Sequence, residues 1–115
     1  MISIIVPCYN EQEALPFFHE EISRVLKEIG EDYELLFVND GSKDDTLKEL
    51  KALSTKDPHV IYLSFSRNFG KEAAMYAGFC NAKGDYIAVM DADLQDPPAL
   101  LPEMLKMLET DEYDS

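Results

Sequence analysis

The 115-residue chain predicts an α/β fold with a doubly wound, mainly parallel sheet and helices on both faces. Three observations carry that prediction. Short apolar runs of strand length alternate with stretches of helical periodicity, the pattern left by successive βα units. The first run, residues 2–6, is rich in β-branched side chains throughout, as a strand covered on both faces would be. Four such units in succession, joined by right-handed crossovers, fold most simply into one parallel sheet.

The elements follow in order. Residues 2–6 are the first strand. Leu15, Phe18, Ile22, Val25, Leu26 and Ile29 fall on one stripe, which predicts a helix over residues 11–29. Gly30 is placed to cap that helix, and Pro16 makes its first turn irregular. Residues 33–38 are the second strand. Asp40-Gly41-Ser42 turns the chain, and Ser42 is expected to cap a helix running through Thr46, Leu47, Leu50 and Leu53. Residues 60–65 are the third strand. After Arg67-Asn68-Phe69-Gly70, a helix built on Ala73, Ala74, Ala77 and Gly78 leads to the stop at Lys83-Gly84. Residues 86–90 are the fourth strand, 91–98 a polar loop, and 99–109 a last amphipathic helix after Pro97-Pro98. No repeat, linker or low-complexity tract divides the chain, so residues 1–115 read as a single domain or part of one.

A net charge of −13 argues against nucleic acid, which demands a basic face. A phosphate-bearing ligand would need a local basic loop, helix N-termini or a bridging cation to be held by so acidic a domain. Cys8 and Cys80 form no C-x-x-C pair, which excludes a structural zinc site and a disulfide framework. His19 and His59 stand alone in the sequence and are expected to be solvated or packing residues. No apolar run reaches the length of a membrane span, and residues 2–6 are too short for a signal peptide. The chain itself is therefore expected to be soluble and cytoplasmic.

In doubly wound sheets, ligands bind beyond the carboxyl ends of the strands, where strand order reverses. Asp91, Asp93 and the amide of Gln95 follow the fourth strand and offer hard oxygen donors suited to Mg²⁺ or Mn²⁺. Acidic loops of this spacing also arise as surface turns. Asp40 ends the second strand, where its carboxylate can accept bonds from a base or ribose, although turn chemistry alone also explains an Asp-Gly pair. Tyr9 can stack on a base or pack as an ordinary tyrosine. Arg67 and Lys71 are the basic pair at a strand end and suit a diphosphate, or else are surface charge at a helix start.

Other strand-end chemistries fail. The first turn reads Pro7-Cys8-Tyr9-Asn10-Glu11 rather than G-x-G-x-x-G, and no G-x-x-x-x-G-K-[ST] loop exists. Residue 95 is Gln, which does not fit a D-x-D-x-T phosphatase, and no nucleophile elbow is present.

Four strings together resemble the family-2 inverting glycosyltransferases of GT-A fold, in the branch that acts on polyprenyl phosphates. They are Ile5-Val6-Pro7-Cys8-Tyr9-Asn10-Glu11, Phe37-Val38-Asn39-Asp40-Gly41-Ser42, Ser66-Arg67-Asn68-Phe69-Gly70-Lys71-Glu72-Ala73-Ala74, and Met90-Asp91-Ala92-Asp93-Leu94-Gln95-Asp96-Pro97-Pro98. The resemblance implies that Pro7, Tyr9 and Glu11 line a nucleotide pocket with Asp40 near the uracil or ribose. It implies that Asp91, Asp93 and Gln95 surround a divalent metal and the donor's diphosphate, Asp93 being the foremost ligand, with Arg67 and Lys71 beside them. Asn39 departs from the Asp common among relatives.

The implied reaction moves a hexose from a UDP- or GDP-sugar to a polyprenyl phosphate with inversion, a chemistry of cell-wall and surface-polysaccharide modification. Its nucleophile is an anionic phosphate oxygen, so positioning and leaving-group stabilisation carry catalysis rather than a strong base. Family members continue into an acceptor-binding part, and most add membrane helices. The resemblance thus reads the chain as an N-terminal, donor-binding fragment, inactive alone, of a protein at the cytoplasmic face of the membrane. Surface left bare by a missing half would favour self-association. Two other readings compete: a non-catalytic nucleotide-binding module, and a receiver-like signalling domain.

Overall fold

The structure, a computed structural model, describes residues 1–92. The elements run β1 (Ile2–Cys8), α1 (Leu15–Ile29), β2 (Tyr33–Asn39), α2 (Thr46–Lys56), β3 (Val60–Ser64), α3 (Lys71–Asn81) and β4 (Tyr86–Val89). All strand pairs are parallel, in the order β3-β2-β1-β4. The doubly wound α/β arrangement is thus as expected, and strand order reverses between β1 and β4. A receiver-like domain would set β3 beside β1. Here β1 lies between β2 and β4, and that reading is set aside.

Side-chain alternation along the central strands builds two layers. Ile2, Ile4, Val6 and Cys8, with Tyr33, Leu35 and Phe37, join the apolar stripes of α1 and α2 in one core. Phe18 of α1 meets Phe37 edge-on with ring centroids 6.1 Å apart. Each such fully buried side chain contributes roughly 1.5–3 kcal/mol over an exposed one. Ile5 points to the opposite face, where α3 packs so closely at Gly78 that a Cβ there would collide with the Ile5 side chain. Helices α1 and α2 therefore cover one face and α3 the other. This double cover is why β1 and β2 are apolar along most of their length, while β3 and β4, on the flanks, are only partly buried.

At the amino ends of the strands, a closed polar network replaces apolar packing. The Ser3 hydroxyl donates to Glu34 Oε2 at 2.6 Å, and the Lys83 backbone N–H donates to the same oxygen at 2.7 Å. The Gly84 N–H donates to Ser3 Oγ at 2.8 Å. Glu34 is buried, and these donors satisfy its carboxylate without a counter-ion at that oxygen.

Several expectations need correction. Helix α1 begins at Leu15 rather than at residue 11, because the Glu11 carbonyl closes a turn by accepting the N–H groups of Ala14 and Leu15. Its end is as expected: Gly30 is left-handed, at φ 81°, and its N–H bonds to the Leu26 carbonyl. Ser42 does not cap α2. Its hydroxyl accepts the Asn10 N–H instead, and Asp44 Oδ1 accepts the Thr46 N–H at the helix start. Strands β1 and β2 run on to Cys8 and Asn39, while β3 and β4 end one residue early, at Ser64 and Val89. The loop beyond Ala92 and the helix at 99–109 lie outside the described residues.

The histidines are not isolated. His19 Nε2 and His59 Nδ1 each lie 2.8 Å from a different oxygen of Asp57, and His59 stacks on Tyr33 at 4.0 Å. Partial burial works to raise the pKa of Asp57. Hydrogen bonds from the His59 N–H and both imidazoles outweigh it and hold the carboxyl below its ordinary range. His19 joins Asp57 and His59 from 38 residues away, which is why spacing alone did not reveal the cluster.

Candidate functional site

The carboxyl ends of β1 and β4 part at Pro7. The Ile5 carbonyl accepts the Met90 N–H on the β4 side, and the Cys8 carbonyl accepts the Asp40 N–H on the β2 side. Alternation along β1 therefore turns the nitrogen of Pro7 toward β4, where pairing has already stopped at Ile5↔Val89. A proline lacks the N–H that a longer ladder would require, so it fits here without loss and helps end the pairing. The gap opens into a cleft of about 160 Å³ lined by Pro7, Cys8, Tyr9, Glu11, Asp40, Lys71 and Asp91. It sits at the reversal of strand order, the position expected for a ligand in this architecture.

The loop after β1 is fastened to the loop after β2. Asn10 N–H donates to Ser42 Oγ, Glu11 N–H to Thr46 Oγ1 and Gln12 N–H to Asp44 Oδ2. In the other direction, Lys43 N–H donates to Asn10 Oδ1 and Asp45 N–H to Gln12 Oε1. Asn10 takes a left-handed φ of 54°, which Asn tolerates better than most side chains. Five reciprocal bonds thus set the backbone on either side of Tyr9 and Glu11. Asp44 serves as a hub: burial acts to raise its pKa, but bonds from Thr46 and Gln12 prevail and lower it.

Asp40 fastens a third loop. It is buried, and its two carboxylate oxygens accept the N–H groups of Phe69 and Gly70 at 2.8 and 3.1 Å. Gly41 lets the two loops touch. At its φ of 68°, a Cβ would collide with the Arg67 carbonyl carbon and the Asn68 nitrogen. The segment entering α3 is thereby held against the end of β2, which places Lys71, the first residue of α3, at the cleft.

Lys71 Nζ lies 2.9 Å from Asp91 Oδ1 across the opening. Among the described residues, three carboxylates, Glu11, Asp40 and Asp91, line the cleft against this one ammonium, a net negative set. Cys8 lies at the back. Burial, with the Glu11 charge behind it, pushes its thiol far above the ordinary range, and the group is an inert neutral thiol. Tyr9 is 40% exposed, so its ring is not consumed by the core.

Of the residues singled out in the sequence, Pro7, Tyr9, Glu11, Asp40, Lys71 and Asp91 line this one cleft. Arg67 does not: its guanidinium rests 4.7 Å above the centre of the Phe69 ring. Asp93 and Gln95 lie outside the described residues. Sequence reasoning missed Asn10, Gln12, Ser42, Asp44 and Thr46, which build the clasp; the one available signal was Asn at a position the chain must turn. Asp91 is a hard oxygen donor and already holds a cation, the Lys71 ammonium, which fits a divalent metal in kind. Among the described residues no three His, Cys, Asp or Glu side chains gather as a metal-ligand set, so a metal here would take its other ligands elsewhere.

Comparison with known proteins bears on this geometry. The chain is 52% identical over 106 residues to the putative glycosyltransferase CsbB of Bacillus subtilis, covering 92% of this chain and 32% of that protein. It is 45% identical over 105 residues to a prophage bactoprenol glucosyl transferase homolog of Escherichia coli, covering 91% and 34%. The chain thus spans about a third of the length of these curated relatives. Among solved structures, the mannosyltransferase PcManGT from Pyrobaculum calidifontis, in complex with GDP-Man and Mn²⁺, matches with a TM-score of 0.78 at 23% identity, over 93% of this chain and 32% of that one. That likeness shows the fold. The model of the family described as glycosyl transferase family 2 matches residues 3–115, and the chain belongs to that family.

Proposed function

We propose that the cleft binds the nucleoside diphosphate of a UDP- or GDP-sugar, and that residues 1–115 are the donor-binding part of an enzyme passing a hexose to a polyprenyl phosphate with inversion. The observation that carries this reading is the charge of the cleft set against its place. Among the described residues, three carboxylates and one ammonium line a pocket at the reversal of strand order, so a diphosphate would be repelled by them unless a cation came with it. Asp91, together with Asp93 and Gln95, would hold Mg²⁺ or Mn²⁺. When bound, that ion would supply a Lewis acid that neutralises the departing diphosphate.

The remaining roles belong to the chain's own side chains. Tyr9 offers an exposed ring for the base to stack on. Asp40 sets the α3 entry through its two backbone bonds and keeps further lone pairs for the nucleoside. Glu11 and Pro7 shape the cleft wall, and Lys71 meets the diphosphate. Arg67, folded onto Phe69, is left out of the diphosphate role. The names of the relatives support the acceptor class, and the metal and donor bound to PcManGT support the ligand class.

Calorimetric titration of UDP, UDP-glucose and GDP-mannose, with and without Mn²⁺ or Mg²⁺, tests the reading. Metal-dependent binding of at least one nucleotide is expected, weakened at least tenfold in Asp93→Asn. No binding under any metal condition would sink the site assignment. Equal binding by wild type and Asp93→Asn would remove that residue from the metal.

A further inference from the structure

Lys71 is oddly placed for a residue whose only task is to attract phosphate. It opens α3, where the helix dipole disfavours a cation, and its ammonium lies against the carboxylate of Asp91 although the side chain is 57% exposed. Asp91 is only 28% exposed, and its Oδ1 lies 2.9 Å from Lys71 Nζ. The base of Lys71 is held from behind, because Asp40 grips the N–H groups of Phe69 and Gly70. The side chain can therefore swing, but from an anchored root.

We propose that Lys71 is an exchangeable internal cation. In the metal-free site it neutralises Asp91 and occupies the side of that carboxylate which a divalent metal needs. When a nucleoside diphosphate enters, the ammonium transfers from Asp91 to a phosphate oxygen, and Asp91 is released to the metal. No covalent bond changes; one ion pair is traded for two. Metal and nucleotide then bind cooperatively, each weakly alone, and linkage requires that each raise the affinity of the other by the same factor. The consequence for the enzyme is that an acidic site does not fill with free metal before the donor arrives. This inference rests on the proposed donor role of the cleft and goes beyond it by assigning an order to its ligands.

The test is a double-mutant cycle on the full 115-residue chain, read by Mn²⁺ titration without nucleotide. Lys71→Met should tighten binding of Mn²⁺ alone on the order of tenfold, and in the Asp91→Asn background the same substitution should change it less than twofold. UDP titrated with saturating Mn²⁺ should bind Lys71→Met several-fold more weakly than wild type. Lys71→Arg, which keeps the charge, should restore the wild-type affinity for Mn²⁺ alone. An unchanged affinity in Lys71→Met, or a gain that persists in Asp91→Asn, would overturn the exchange. If Mn²⁺ follows the cycle but no UDP binds, Lys71 competes with metal at Asp91, but the transfer to phosphate and the nucleotide reading both fail. If UDP binds and the cycle is flat, the exchange fails and the nucleotide reading stands.

Discussion

The two ends of the parallel sheet handle buried acids in opposite ways. At the amino end, Glu34 is closed off by the Ser3 hydroxyl and the Lys83 N–H, and nearby Asp57 divides its two oxygens between His19 and His59. At the carboxyl end, Glu11, Asp40 and Asp91 converge on one open cleft, with Lys71 as the ammonium among its lining residues. A buried carboxylate that is already satisfied holds a fold together, whereas several facing one opening create a demand for a cation. The difference arises from the loops: a parallel strand delivers its loop-bound polar side chains at its carboxyl end, and the reversal between β1 and β4 opens a cleft among them.

Substitutions that breach one end while sparing the other sharpen this contrast. The largest effect is expected from Gly41→Ala, which places a Cβ on the Arg67–Asn68 backbone at a positive φ. It should lower stability by about 3 kcal/mol in urea denaturation and abolish nucleotide binding with it. Next comes Glu34→Ala at the amino end. Leaving the Ser3 hydroxyl and Lys83 N–H without their acceptor should lower stability by about 2 kcal/mol, yet nucleotide affinity at the far end should stay within twofold. A parallel loss of affinity would show that the ends are not independent.

Tyr9→Ala should do the converse. Loss of a stacking ring should weaken UDP binding roughly tenfold while the denaturation midpoint hardly moves. The smallest effect is a pH dependence. Because the folded state holds the Asp57 carboxyl below its ordinary 3.8, the stability it contributes is complete above that value and disappears as pH falls through the lowered one. The stability gap between wild type and Asp57→Asn should therefore shrink as pH falls below about pH 4. A gap unchanged down to pH 3 would contradict the cluster.

Much of this was legible in the sequence, for reasons that differ by element. The order of strands and helices could be read because β1 and β2 are buried on both faces and α1 carries one continuous stripe from Leu15 to Ile29. The place of the cleft could be read because strand-end segments are fixed once the strands are. What escaped was everything that depends on loop meeting loop. Ser42 had the chemistry of a helix cap, and only the fold shows Asn10 claiming its hydroxyl. Arg67 and Lys71 looked equivalent at four residues' separation, but Phe69 lies under one and Asp91 opposite the other. His19 and His59 are 40 residues apart and meet only through Asp57.

The most direct test of the two-ended picture is paramagnetic broadening of amide resonances by Mn²⁺ in the presence of UDP. Signals of Tyr9, Glu11, Lys71 and Asp91 should vanish first, with those of Ser3, Glu34 and His59 unaffected at the same metal concentration. Broadening centred on His19, Asp57 and His59, with the Asp91 signals intact, would place the metal at the wrong end of the sheet and contradict the assignment.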